Sequence, residues 1–149
     1  MSEIEELYQE IMMEHNRQPR NFREPEGANR RAEGFNPFCG DTVTLYLRIE
    51  GATVTDVAFQ GSGCAISKAS ASMLTESIMG KSTSEADGIF EAFRHMLTDD
   101  PDDRDSEILG DLEVLSGVSQ FPTRIKCATL AWHALHSALE GSEETVKTE

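Results

Sequence analysis

Three cysteines, Cys39, Cys64 and Cys127, together with Asp41, are the residues of this 149-residue chain whose types could do chemistry. Thiolate is the form of cysteine that binds metal and attacks sulfur. Three thiolates and one carboxylate make a four-ligand tetrahedral set acceptable to zinc or to an iron–sulfur cluster. With a divalent ion that set carries a charge of about −2, which the nearby Arg124 and Lys126 would offset. No C-x-x-C pair is present, so ligand spacing by itself leaves metal binding, reactive sulfur and inert structural thiols all open.

The placement of the cysteines says more than their spacing. Cys39 lies within Asn36-Pro37-Phe38-Cys39-Gly40-Asp41, just before a strand. An extended chain there would point the Cys39 thiol and the Asp41 carboxylate to the same side. Cys64 follows Gly61-Ser62-Gly63 and precedes a helix, and Cys127 is expected to open the last helix after Arg124-Ile125-Lys126. A thiol at a helix N-terminus feels unpaired N–H groups and the positive end of the dipole, both of which favour thiolate.

The elements that must hold these residues follow from periodicity. Residues 2–16 read as an amphipathic helix with Ile4, Leu7, Tyr8, Ile11 and Met12 on one face, and Ser2 with Glu5 has the capping-box form. A short strand is expected at Arg30–Gly34. Strict alternation from Thr42 to Glu50 puts Val43, Leu45, Leu47 and Ile49 on one face of a half-buried strand. Thr53–Gln60 continues the alternation, so the two segments are expected to pair as an antiparallel hairpin.

Helices are expected over Ala65–Met79, closed by Gly80, and over Ser84–Leu97. A short one is expected over residues 106–116, with Ile108, Leu109, Leu112 and Leu115 inward, and a last one over Cys127–Leu139. The expected fold is α+β: a small antiparallel sheet of about three strands covered by helices. Residues 1–149 would form one domain, with a flexible polar tail from about residue 141.

Composition sets the outer bounds. The formal net charge of −14 opposes binding to nucleic acid or to an anionic membrane, both of which call for clustered Lys and Arg. It favours, if anything, a partner with a basic patch. No apolar run approaches the roughly 18 residues of a membrane helix, and the acidic N-terminus lacks a signal-peptide layout. A cytoplasmic location is expected, where thiols stay reduced and an odd number of cysteines is no disulfide framework. The acidic loop Asp99-Asp100-Pro101-Asp102-Asp103 lacks the spacing, Gly and Glu of an EF-hand.

The segments around the cysteines resemble the family of IscU-like and NifU N-terminal iron–sulfur cluster assembly proteins. Asn36–Asp41, Gly61–Ser67 with Ala69–Met73, and Arg124–Trp132 carry the likeness in order, and His15–Phe22 is similar to the family's opening. Lys126 stands where IscU-type scaffolds have His, and the stretch between Cys64 and Cys127 is longer than theirs, with Asp99–Leu115 as the added material. Both features resemble the SufU branch.

The resemblance implies a metal site at Cys39, Asp41, Cys64 and Cys127, usually holding zinc. It also implies a SufS-type cysteine desulfurase as partner, a pyridoxal-phosphate enzyme whose persulfide sulfur Cys39 accepts and passes to downstream iron–sulfur assembly proteins. On this reading Asp41, Cys64 and Cys127 hold zinc while Cys39 is released to attack. Three readings compete with sulfur transfer. One is a scaffold that builds an iron–sulfur cluster, or holds iron, on the same residues. The second is a purely structural zinc site, and the third a Cys/His/Asp hydrolase with Cys39 as nucleophile.

Overall fold

Alternating Val43, Leu45 and Leu47 place one face of a strand entirely out of solvent, and the sheet is built around that strand. A computed structural model describes residues 3–141 and 145–147. Helix α1 spans Glu3–Arg17, and strands β1, β2 and β3 span Arg30–Asn36, Asp41–Glu50 and Thr53–Ser62. Helices α2, α3 and α4 cover Ala65–Ile78, Thr83–Thr98 and Ser106–Leu109, followed by a 3₁₀ helix over Gly110–Gln120. Helix α5 runs over Pro122–Leu139, and a short β4 over Val146–Lys147.

The sheet has the order β3-β2-β1-β4. Strand β2 pairs antiparallel with both neighbours, Leu45 opposing Ala32 on one side and Phe59 on the other. The fold is α+β as expected, but the sheet is mixed and has four strands. Within the tail expected from about residue 141, Val146 and Lys147 instead add in parallel to Gly34 and Phe35 of β1. The capping box of Ser2 lies outside the described residues.

Helices α2 and α5 cover the sheet and are locked to each other. Ser70 on α2 donates its hydroxyl to the Ala128 carbonyl, and the Trp132 indole N–H donates to the Ser70 oxygen at 3.1 Å. Trp132 stacks on Phe93 at 4.9 Å between centroids, which carries the core out to α3. The small residues Ala69, Ser70, Ala71 and Ser72 are buried and permit this close approach.

Three expectations need correction. Gly110, at φ +53°, ends α4 after one turn, so residues 106–116 are not one helix, and Ile108 is 46% exposed rather than inward. Ile4 and Leu7 on α1 are exposed although they share the spacing of the half-buried Tyr8, Ile11 and Met12, because no described residue packs over the first turns enough to bury them. Helix α5 begins at Pro122 rather than Cys127: proline at the first helical position gives up no hydrogen bond there and brings a φ already suited to a helix.

Candidate metal and sulfur site

The turn between β1 and β2 carries Cys39. Gly40, at φ +71°, closes it by donating its N–H to the Asn36 carbonyl at 2.8 Å. The Asn36 side chain accepts the Phe38 N–H at 3.1 Å, which fixes the residue just before the cysteine. Cys39 is therefore held in a turn rather than an extended segment, and it is exposed. The expected pairing of the Cys39 thiol with the Asp41 carboxylate is met by this turn, not by alternation.

Asp41 opens β2 and is fully buried. Its Oδ1 accepts the Cys64 N–H at 2.8 Å, and its Oδ2 lies 3.8 Å from the Cys64 sulfur. Gly63 makes this approach possible, since a Cβ at that position would collide with the Asp41 carboxylate. Cys64 caps α2, its sulfur accepting the Ser67 N–H at 3.4 Å, as the sequence position suggests.

Cys127 lies in the second turn of α5, buried, and not at a helix start. Two consequences follow from Pro122 starting the helix early. The helix-start position expected for both cysteines holds at Cys64 but fails at Cys127. Burial, reinforced by the Asp41 carboxylate and the neighbouring thiols of Cys39 and Cys64, drives the Cys127 thiol far above the ordinary cysteine range.

The Cys127 sulfur sits 3.4 Å from the Cys39 sulfur, and the Asn36 amide donates to it at 3.6 Å. Asn36, itself fully buried, thus serves both the Cys39 turn and Cys127. In sequence Asn36 and Gly63 stand out only as parts of the cysteine-bearing motifs, with no signal of these roles.

One ligand atom from each of Cys39, Asp41 and Cys127 lies within 4.8 Å of the other two. Cys64 falls outside that tight group and joins it through Asp41. A tetrahedral zinc with bonds of about 2.0–2.3 Å places its ligand atoms roughly 3.3–3.8 Å apart. The Cys39–Cys127 and Cys64–Asp41 separations of 3.4 and 3.8 Å match that edge. A buried carboxylate beside the buried Cys127 thiol and the half-buried Cys64 thiol is also an arrangement that a cation would relieve. The donor set therefore fits zinc, and its thiolates fit iron equally well.

Arg124 and Lys126 do not point their charges at this cluster. The Arg124 guanidinium lies 4.7 Å from the Phe121 ring centroid, and the Lys126 ammonium 4.6 Å from that of Phe38. His15 and His133, both away from the cluster, are held below the usual imidazole range chiefly by burial. A surface groove of about 610 Å³ is lined by residues including His15, Glu76 and Ile108 and by none of the cysteines.

Residues 7–128 match the NifU-like N terminal domain, a span that takes in all four candidate residues. The chain belongs to the IscU/SufU/NifU N-terminal family of iron–sulfur cluster assembly proteins. It is 41% identical over 143 residues to the zinc-dependent sulfurtransferase SufU of Bacillus subtilis, covering 94% of each protein. It is 37% identical over 142 residues to the iron–sulfur cluster assembly scaffold protein IscU of Streptococcus pyogenes, covering 95% of this chain and 88% of that one.

Among solved structures, a SUF-system protein from Fervidobacterium islandicum superposes with a TM-score of 0.82 at 35% identity, over 87% of this chain and 94% of that one. The NifU-like N-terminal protein of Brucella abortus gives a TM-score of 0.83 at 22% identity and supports the fold alone. A Cys/Asp/Cys site capable of holding a metal or cluster is thus typical of the family as well as legible in this chain's geometry. No helix among the described residues is long and apolar enough to cross a membrane.

Proposed function

We propose that this protein is a zinc-dependent sulfurtransferase: it accepts persulfide sulfur at Cys39 from a SufS-type cysteine desulfurase and passes it on in iron–sulfur cluster assembly. The observation that carries this reading is the contrast in exposure within one cluster. Cys39 is open to solvent, while Asp41 and Cys127 beside it are buried. An incoming persulfide can reach the first and not the others.

The step is a thiol exchange. The Cys39 thiolate attacks the terminal sulfur of the donor's R–S–S–H. The donor's sulfur–sulfur bond breaks as a new one forms to Cys39, and the bonding electrons leave with the donor cysteine as thiolate. No net oxidation occurs. Asn36 holds the turn that presents Cys39, and Asp41 holds Cys64 through its backbone. Zinc, held by Cys39, Asp41, Cys64 and Cys127, would keep the thiols deprotonated and protected at neutral pH. Downstream, the outer sulfur leaves Cys39 by the same exchange with an acceptor of the assembly pathway.

A second reading is that of a scaffold assembling an iron–sulfur cluster on the same residues, favoured by the similarity to the Streptococcus pyogenes scaffold protein. Lys126 in place of a potential cluster-ligating His weighs toward sulfur transfer. The test is cysteine turnover by a SufS-type desulfurase with and without the zinc-loaded protein. Strong stimulation that disappears in Cys39→Ala supports the transferase. No stimulation, with a coloured cluster forming from iron and sulfide, favours the scaffold.

A further inference from the structure

Phe22, Phe38 and Phe121 are 42%, 68% and 46% exposed, and each ring is covered by a cation. Lys68 lies 5.1 Å from the Phe22 centroid, beside Lys126 over Phe38 and Arg124 over Phe121. Each pair borders a site cysteine. Phe38 precedes Cys39 and Lys126 precedes Cys127 directly. Arg124 lies within one turn of Cys127, and Lys68 donates its backbone N–H to the Cys64 carbonyl.

Most arginines elsewhere in the molecule are engaged by carboxylates: Arg20, Arg23, Arg31, Arg48, Arg94 and Arg104 are each paired with one. Among the described residues, no carboxylate comes within ion-pair distance of Lys68, Arg124 or Lys126. Along residues 36–42, 61–68 and 121–127, which carry five of the six paired residues, the one acidic residue is Asp41, and it is buried. The sixth, Phe22, lies on a segment that also carries Arg20, Arg23, Glu24 and Glu26. In a chain with 27 acidic residues against 13 basic ones, this face has the opposite sign from the whole.

We propose that these three aromatic–cation pairs form a docking surface for an acidic patch on the sulfur-donating protein. The proposal rests on the sulfur-acceptor reading above and supplies its partner's surface chemistry. Exposed aromatic rings and arginine give contact area at modest entropic cost, and such residues dominate interface energetics. The acidic remainder of the chain repels an acidic partner, so the two approach favourably only with the basic face forward, which sets Cys39 against the donor's persulfide. A basic partner patch would instead be drawn to the rest of the surface, away from Cys39.

The experiment measures the affinity of the full-length, zinc-loaded protein for a SufS-type desulfurase, alongside Cys39 persulfidation by inorganic polysulfide, which needs no docking. Phe38→Ala is expected to weaken the complex about tenfold or more. Lys68→Glu is expected to weaken it about threefold or more, with Lys68→Arg binding as wild type and polysulfide acceptance by Lys68→Glu unchanged. Unchanged or tighter binding by Lys68→Glu and Phe38→Ala overturns the docking surface. Failure of the wild-type protein to take sulfur from polysulfide overturns the acceptor reading separately.

Discussion

Asp41 grips Cys64 by its backbone: the carboxylate that opens β2 accepts the N–H of the residue that caps α2, at 2.8 Å. One buried side chain thus joins the sheet to a helix while presenting its second oxygen to the same cysteine's sulfur. The relationship makes Asp41 a ligand candidate and a structural tie at once.

Replacing Asp41 by Ala is therefore expected to act twice. It removes a ligand, so zinc affinity should fall by more than the roughly 10–100-fold that losing an outer-sphere partner costs. It also leaves the Cys64 N–H without its acceptor, for about 1–3 kcal/mol of stability in the metal-free protein. Competition against a chromophoric chelator reads the first effect, and urea unfolding of the metal-free protein reads the second. An unchanged affinity would remove Asp41 from the ligand set.

Gly63→Ala probes the same contact from the other side. The new Cβ must displace the Asp41 carboxylate, because it meets that group closer than van der Waals contact allows. The expected result is zinc binding weakened by about 10–100-fold, comparable to losing a partner that orients a ligand. Zinc stoichiometry after gel filtration, with circular dichroism as the control for folding, checks it. Full zinc loading would show that Asp41 has room to move.

The sheet and the site differ in how far they can be read from residues alone. Val43, Leu45 and Leu47 announce β2 because a period of two survives in ten residues, and the hairpin follows from Gly51. Helix α5 begins five residues before Cys127, where its apolar stripe suggests a start. Phe121 caps it without a side-chain hydrogen bond, so Pro122 was the one start signal present. The early start moves Cys127 away from the helix terminus, and burial raises its thiol instead of activating it. Strand β4 has only two residues and no period to detect. The cluster itself was legible through Cys39, Asp41, Cys64 and Cys127, but Asn36 was not, because an amide that serves a turn and a sulfur at once looks like any loop residue in sequence.

Acid should destabilise the fold through His15 and His133. Burial lowers both below the usual imidazole range, with Arg20 adding to the effect at His15. The unfolded chain then takes up protons first as pH falls through about 6.5, so stability is present above that value and is lost below it. His95 acts in the opposite sense, raised chiefly by Asp99 and Asp103, but it lies at the surface, where solvent screens its effect. Melting temperature should drop between pH 7.5 and 5.5, and drop less in His15→Gln. Equal acid sensitivity in that variant would acquit His15, whose Nδ1 bonds Ser72 Oγ at 2.7 Å.

Ser70→Ala tests the lock that sets the distance between Cys64 on α2 and Cys127 on α5. The Ser70 hydroxyl accepts the Trp132 indole N–H and donates to the Ala128 carbonyl, and all of these groups are buried. Its removal strands the indole donor of a ring that stacks on Phe90 and Phe93. A loss of about 1–3 kcal/mol is expected from urea unfolding of the metal-free protein. Because the two helices carry two of the four candidate ligands, zinc affinity should fall in the same variant, while in the metal-free protein alkylation of the exposed Cys39 proceeds at the wild-type rate. Lost stability with unchanged zinc affinity would show that the helix lock and the site are energetically separate.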